Sequence, residues 1–218
     1  MPESARGGRF PGYDVLAKRH TPSWNAQTRR VIDARLAIGS PPKFLTAGEF
    51  ATLEAIAARI VPQPNTRPPI PVAALVDHKL FCDRTDGYRH AGLPREREAW
   101  RLGLRAIDAE AQTAHGLPFR ELDAPRQDAL LELLQQGNLR AAAWNGMPPK
   151  VFFVQRMAHD IVMAYYSHPT SWNEIGWGGP ASPRGYVRMD FDRRDPWEAT
   201  EAAPGHEAEA RKANARLG

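Results

Sequence analysis

The sequence predicts an all-α fold: a single domain of about five helices, with an extended N-terminal arm and an irregular C-terminal segment rich in glycine, proline and tryptophan. Three observations lead to this prediction. Between positions 44 and 166, apolar residues recur at the three- and four-residue spacing of one helix face. Helix start and stop signals bracket these stretches. No stretch shows the alternation of apolar and polar residues that indicates a strand.

The first two helices lie on either side of a proline-rich connector. Thr46 is suited to cap the first helix, and Glu49 three residues later completes a capping box. Apolar residues then follow one face as far as Pro62, which cannot continue the helix. After the connector at 62–71, the apolar pattern resumes and predicts a second helix over residues 72–81.

Three further helices follow, each with its own boundary signals. Pro94 is suited to the first turn of the third helix and Gly116 to its end. The fourth helix begins near Asp123 and ends at Gly137. The fifth begins at Pro148-Pro149 and extends to Tyr165, and an almost continuous apolar run at 152–154 makes it hydrophobic over most of its circumference. Such a helix is either central in a bundle or covered by another chain.

The composition of the two ends differs from that of the middle. The predicted boundaries are an extended arm at 1–43, a helical domain at 44–187 and a charged tail at 188–218. Both ends of the helical region carry large aromatic residues among glycines and prolines. These side chains need burial, so we expect them either to fold back over the helices or to dock on a partner.

The bulk properties exclude several classes of function. The formal charge of +4 comes from arginines interspersed with acidic residues, without the clustered basic face that nucleic-acid binding requires. The one cysteine, Cys82, excludes an intrachain disulfide, a thiolate-only zinc site, an iron–sulfur cluster held by this chain alone and c-type haem. Beside Phe81, it is expected to be a small buried side chain. No apolar run is long enough to span a bilayer or to form a signal peptide, so we expect no direct membrane span.

Two groups of motifs resemble the gluconate 2-dehydrogenase subunit 3 family, over about residues 44 to 187. The first group opens the helical region with Phe-Leu-Thr at 44–46 and Ile-Val-Pro at 60–62. The second group closes it, and its parts are Tyr-Tyr-Ser-His-Pro at 165–169, Trp-Asn-Glu-Ile-Gly-Trp at 172–177, Gly-Pro at 179–180 and Pro-Arg-Gly-Tyr at 183–186.

The resemblance implies a non-catalytic small subunit that assists the folding, stability or export of a large flavoprotein. The partner would be a glucose–methanol–choline-type dehydrogenase that holds FAD and oxidises a sugar or glucoside, and a separate cytochrome or other acceptor could take the electrons. No cofactor is expected on this chain. Family members commonly carry a twin-arginine export signal, but the charged residues after Arg29-Arg30 interrupt the apolar run that such a signal needs. We therefore expect a cytoplasmic chain, periplasmic only if the partner carries the export signal.

The C-terminal motifs supply the residues predicted to contact the partner, because tryptophan and tyrosine are enriched at binding hot spots. The predicted interface residues are Tyr166, His168, Trp172, Asn173, Trp177 and Tyr186. Trp172, Trp177 and Tyr186 could instead anchor their own loop, and the sequence alone does not separate these two roles.

Two alternatives to the accessory role stay open. In the first, this chain contributes His168 or Asn173 to a sugar-oxidising active site shared with the flavoprotein, since flavin alcohol oxidation needs a base. In the second, the chain is an independent helical binding domain. No catalytic, cofactor or metal residue is predicted. The candidate metal ligands are too few to close a site: His78, Cys82 and Asp83 in one place and His159 beside Asp160 in the other.

Overall fold

The computed structural model describes residues 8–188, 195 and 197–215 of the chain, and every regular element in this part is helical. The α-helices are α1 Ala26–Leu36, α2 Ala47–Ile60, α3 Val72–Phe81, α4 Glu96–His115, α5 Ala124–Gln136, α6 Pro149–Phe152, α7 Ala158–Tyr166, α8 Pro169–Ile175 and α9 Glu207–Asn214. Short 3₁₀ helices occupy Val15–His20, Phe119–Glu121 and Ala142–Trp144, and a π-helix occupies Phe153–Met157. The all-α fold class is confirmed.

The chain divides into two compact units. Residues Ile38–Tyr165 form one, called here the helical unit. The other consists of the described residues of Met1–Ala37 and Tyr166–Gly218, and is called the terminal unit. In neither unit is a described helix both long enough and apolar enough to cross a membrane.

Helix α2 begins as its sequence predicts. Thr46 Oγ1 accepts a hydrogen bond from the Glu49 amide at 3.3 Å, and Glu49 Oε2 accepts one from the Thr46 amide at 3.0 Å. This reciprocal capping box satisfies two amides that would otherwise lack partners at the helix start. The apolar face of α2 then packs against α3, α4 and α5.

The centre of the helical unit is an aromatic contact between α4 and α6. Trp100 and Phe152 are fully buried, with ring centroids 5.7 Å apart in an edge-to-face arrangement. Gly103 lies one turn along α4, and a Cβ atom placed there would come within 2.3 Å of the Phe152 ring. The missing side chain therefore makes room for the ring.

The fifth predicted helix is present but is not continuous. It begins as α6, passes through the π-helix Phe153–Met157 and continues as α7. A π-helical turn inserts one residue and rotates the following side chains about the axis. In this π-helix the side chain of Arg156 is buried, whereas that of Val154 is exposed.

The terminal unit has a small aromatic core of its own. Tyr13, Val15 and Trp24 from the N-terminal region pack with Trp172 and Ala199 from the C-terminal region. In the last described segment, Ala210 and Asn214 of α9 are also buried. These aromatic side chains are therefore buried within the chain itself, because the N-terminal and C-terminal regions cover each other's apolar surface.

Several local features differ from the sequence-based expectations. The arm predicted at 1–43 contains a 3₁₀ helix and α1, which the apolar pattern does not indicate because Ile32 is the one buried side chain of α1. Asn25 caps α1 instead, by accepting a hydrogen bond from the Thr28 amide at 2.8 Å. The expected burial of Cys82 is wrong: the thiol is exposed, and so is Phe81, because α3 ends there at the surface.

Candidate interaction surface

The segment of C-terminal motifs forms one short helix and the loop that follows it, both in the terminal unit. His168 caps α8, with Nδ1 accepting a hydrogen bond from the Thr170 amide at 3.3 Å, and Pro169 occupies the first turn. Helix α8 ends at Gly176, whose φ of 67° lies in the left-handed region. All six predicted interface residues lie on this segment, residues 166–186, within one unit.

Three of the six hold the segment in place. Trp172 is only 2% exposed, and its Nε1 donates a hydrogen bond to the Tyr166 carbonyl at 2.7 Å. Asn173 Oδ1 accepts a hydrogen bond from the Val15 amide at 2.7 Å, which ties α8 to the N-terminal 3₁₀ helix. His168 is buried at the cap. Trp172 therefore anchors its own segment within the terminal unit.

The other three side chains face solvent. Tyr166 is 46% exposed, Trp177 40% and Tyr186 69%. The inner face of Trp177 packs edge-to-face on Trp172 at 4.8 Å between centroids. An aromatic side chain with one face fixed by a buried neighbour loses little conformational entropy when a partner covers the other face.

Two apolar residues outside the predicted set are also exposed, within or directly after this segment. Ile175 and Val187 are both exposed, close in sequence to Trp177 and Tyr186. The signal that could have found Ile175 is its position at the end of a helix only seven residues long, where little of its surface can be covered. We call the exposed side chains of Tyr166, Ile175, Trp177, Tyr186 and Val187 the aromatic surface.

The loop that carries Trp177 depends on glycine. At Gly176 a side chain would be strained by the positive φ, and its Cβ would lie 2.4 Å from the ring of Phe10. At Gly179, where φ is 66°, a Cβ would lie 3.0 Å from Trp172. The loop therefore passes close over aromatic rings of its own unit, which fixes where Trp177 emerges.

The helical unit contains a second notable group, a network of charged side chains, of which Glu96, Arg156 and Asp160 are buried. Asp160 is at its centre: Oδ1 accepts a hydrogen bond from Lys79 Nζ at 2.9 Å, and Oδ2 accepts one from Trp100 Nε1 at 2.8 Å. The Arg156 guanidinium donates to Asp86 at 2.6 Å and lies 3.4 Å from Asp160 Oδ1. This network could not be predicted from the sequence, because its members come from distant positions.

Glu96 completes this network as its third carboxylate. Its Oε1 lies 2.8 Å from Lys79 Nζ and 3.2 Å from Arg156 Nη1, as ion pairs outside hydrogen-bond geometry. Burial raises the pKa of Glu96, and the neighbouring Asp160 adds to the rise. For Lys79, burial acts to lower the pKa, but the contacts with the carboxylates of Glu96 and Asp160 outweigh it and the pKa is raised. The network therefore holds three acidic groups against two bases.

The arrangement of this network favours an ion-pair role over metal binding. Of the described residues, Asp86, His159 and Asp160 are the three that place possible ligand atoms within 4.8 Å of one another. The two carboxylates of this set already accept hydrogen bonds, Asp160 from Lys79 and Asp86 from Arg156. A metal ion would have to displace both bases. The other candidate set shows one contact, 3.5 Å between Cys82 Sγ and His78 Nε2.

A cavity of about 710 Å³ opens beside the network and is lined largely by arginines. Arg97 and Arg101 stack on the ring of Phe44, with the guanidinium carbons 4.6 and 4.2 Å from its centroid. Arg101 also donates a hydrogen bond to the Phe44 carbonyl at 2.8 Å. These contacts give the arginines a structural role along α4.

Comparison with known proteins identifies the family. The family model for gluconate 2-dehydrogenase subunit 3 matches residues 47–179, more than half of the chain. Neither the search of curated proteins nor that of solved structures found a match. The matched range includes helices α2 to α8 and ends in the glycine loop beside Trp177. The chain belongs to the gluconate 2-dehydrogenase subunit 3 family.

Proposed function

We propose that this chain is a non-catalytic accessory subunit that binds and stabilises an FAD-dependent sugar dehydrogenase of the glucose–methanol–choline type. The observation that carries the proposal is the family match, since a subunit family implies a complex with a catalytic chain. The FAD and the reacting groups would belong to the partner.

The aromatic surface is the proposed contact with the partner. Its exposed side chains include a tryptophan and two tyrosines, the types that dominate the binding energy of protein interfaces. Trp177 is already supported from beneath by Trp172, and the glycine loop fixes its position. Binding would cover apolar surface that otherwise faces water.

Co-expression of this chain with the flavoprotein encoded beside it tests the proposed function. Affinity purification of this chain should recover the flavoprotein in a fixed ratio, with the absorption spectrum of bound FAD and with sugar-dependent reduction of a dye. If the chain purifies alone, folded and colourless, the accessory role is wrong and the independent binding-domain alternative replaces it.

Substitutions on the aromatic surface test the proposed contact. The double variant Trp177→Ala, Tyr186→Ala should weaken binding of the flavoprotein about tenfold or more, because hot-spot aromatics each contribute about 1–2 kcal/mol or more. Leu133→Ala is the matched control, since Leu133 is an exposed apolar side chain of comparable exposure to Trp177 in the helical unit. Equal affinities of the double variant and the control would place the contact elsewhere.

The same complex tests the shared-active-site alternative. His168→Ala should lower the thermal stability of this chain, because His168 caps α8, without changing turnover by the assembled enzyme. Asn173→Ala should behave likewise, because its amide oxygen holds the Val15 amide. Reduced turnover in a complex of unchanged affinity would favour the catalytic alternative.

A further inference from the structure

The terminal unit contains a cavity of about 650 Å³ that the proposed partner contact does not explain. Its wall combines aromatic side chains with charged groups and the glycine loop. The residues that line the cavity include Lys18, Trp177, Gly178, Arg184 and Tyr186.

Among the described residues, every carboxylate of the cavity wall already has an arginine partner. The pairs are Asp195 with Arg184, Glu198 with Arg188 at 2.8 Å, and Glu201 with Arg9 at 2.5 Å. Arg184 in turn stacks on Trp197, its guanidinium carbon 4.8 Å from the ring centroid. Within these pairs the positive and negative charges of the wall compensate each other.

Lys18 differs from these arginines, because its charge has no acidic partner among the described residues. Its side chain is 3% exposed, and no described carboxylate lies within the 4.0 Å of an ion pair. The ring of Trp24 makes a cation–π contact, with its centroid 5.9 Å from Nζ. Burial, and then the charge of Arg184, lower the pKa of Lys18 to about 8.

The ammonium group reaches the glycine loop. A Cβ atom at Gly178 would lie 3.3 Å from Lys18 Nζ and 3.9 Å from the hydroxyl of Tyr13. Because Gly178 lacks a side chain, the space in front of Nζ stays open on this side. The cavity wall thus presents a buried cation to an open volume.

Other buried hydrogen-bond donors of the terminal unit also lack partners. Arg184 Nε, Trp24 Nε1 and Ser23 Oγ are buried without a hydrogen-bond partner among the described residues. Of these groups, Arg184 lines the cavity, and its Nε can only donate. Buried polar groups normally have partners, so the unpaired Arg184 Nε and the unpaired charge of Lys18 at the cavity wall indicate that an acceptor binds there.

We propose that this cavity binds a small organic monocarboxylate. The carboxylate group would pair with Lys18 Nζ over Gly178, and a flat apolar body would pack against Trp177 and Tyr186. A single uncompensated positive charge matches a single negative charge, whereas a phosphate dianion would leave the site with excess negative charge. The aromatic walls favour a carboxylate with an apolar body over acetate.

Titration of the full chain with benzoate tests the proposal. Binding is followed by isothermal calorimetry and by tryptophan fluorescence, with benzamide as the uncharged probe of the same shape and acetate as the probe without a ring. Benzoate should bind at least about tenfold more tightly than either, because a charge-assisted hydrogen bond and ring packing each add that much. Equal affinities for benzoate and benzamide would overturn the proposal.

Variants of this chain separate the site from general effects of charge. Lys18→Met should weaken benzoate binding about tenfold or more, whereas Lys212→Met, on the exposed surface of α9, should leave it unchanged. Gly178→Ala should also weaken it, because the methyl group enters the space before Nζ. Far-UV circular dichroism confirms that each variant is folded. Unchanged benzoate affinity in both Lys18→Met and Gly178→Ala would contradict the proposal. The test uses this chain alone, so it is independent of whether a flavoprotein partner binds.

Discussion

The two units of this protein bury lysines in opposite surroundings. In the helical unit, Lys79 lies within 3.1 Å of carboxylate oxygens of Asp86, Glu96 and Asp160. In the terminal unit, Lys18 is more deeply buried and has no carboxylate at ion-pair distance among the described residues. The pKa values move accordingly: that of Lys79 is raised by its partners, and that of Lys18 is lowered by burial.

This difference separates a structural charge from one available to a ligand. Burying a charge costs free energy unless a partner of opposite sign and hydrogen bonds compensate for it. Lys79 has its compensation within the fold, so its removal should harm the fold. The cost of burying Lys18 stays uncompensated until an anion enters the cavity, so its removal should harm binding and not stability.

The largest effect should come from the centre of the network. Asp160→Asn removes the charge that faces Lys79 and Arg156, and places an amide group where two donors converge. We expect the free energy of unfolding to fall by about 3–5 kcal/mol, the cost of breaking a buried ion pair on one side. Urea denaturation measures this loss. Asp128→Asn is the control, because Asp128 pairs with Arg59 at the surface, and a comparable loss there would contradict the central role of Asp160.

The comparison of the two lysines predicts effects of opposite sign. Lys79→Met should lower the free energy of unfolding by about 2 kcal/mol, because it leaves three acidic groups facing Arg156 alone. Lys18→Met should leave it unchanged or raise it by about 1–2 kcal/mol, because it removes an uncompensated buried charge. Denaturation of both variants at pH 7 provides the measurement. A loss of stability in Lys18→Met similar to that in Lys79→Met would show that Lys18 has a partner within the fold.

The pH dependence of stability should show the state of Lys18. Its pKa is about 8 in the folded chain against an ordinary value of 10.5, so between these values the unfolded chain binds more protons. The contribution of Lys18 to the free energy of unfolding therefore rises as the pH increases from 8 to 10.5. We expect a rise of about 1–2 kcal/mol after solvent screening. Tyr13 contributes in the opposite direction above about pH 10, because burial and then Asp14 raise its pKa in the folded chain to about 12 against an ordinary value of 10.0. The rise should be absent from the stability curve of Lys18→Met, and an unchanged slope in that curve would contradict the assignment.

The smallest effect should come from the third carboxylate of the network. Burial raises the pKa of Glu96, and the neighbouring Asp160 disfavours its ionised form further. Glu96→Gln removes the excess negative charge while keeping the shape of the side chain. We expect a change in the free energy of unfolding of less than about 1 kcal/mol in urea denaturation. A loss as large as that of Asp160→Asn would mean that all three acidic groups are equally required.

The helices of the middle of the chain could be predicted from local signals. The capping box of Thr46 and Glu49 and the stops at Gly116 and Gly137 lie where the sequence places them. Helix α1 was not predicted because it presents one buried side chain to the core, so no apolar period is visible. The break at the π-helix Phe153–Met157 leaves no local signal, because no glycine or proline marks it.

The candidate sites were predicted less completely, because they depend on contacts between distant residues. The aromatic residues of the C-terminal motifs were recognised by their types, but only the structure separates buried Trp172 from exposed Trp177. Arg156 meets Asp86 across a separation of 70 residues, and Lys18 meets the loop at Gly178 across a greater one. Neither pairing follows from spacing in the sequence.

The close approach of Gly103 and Phe152 has a consequence for how sequences of this fold can vary. A Cβ at position 103 would lie 2.3 Å from the Phe152 ring, so an alanine there forces α4 and α6 apart unless the ring is also replaced. The two positions should therefore change together. A homologue with a larger residue at the position of Gly103 should carry a smaller side chain in place of Phe152, and the pair would record the contact between α4 and α6 across the family.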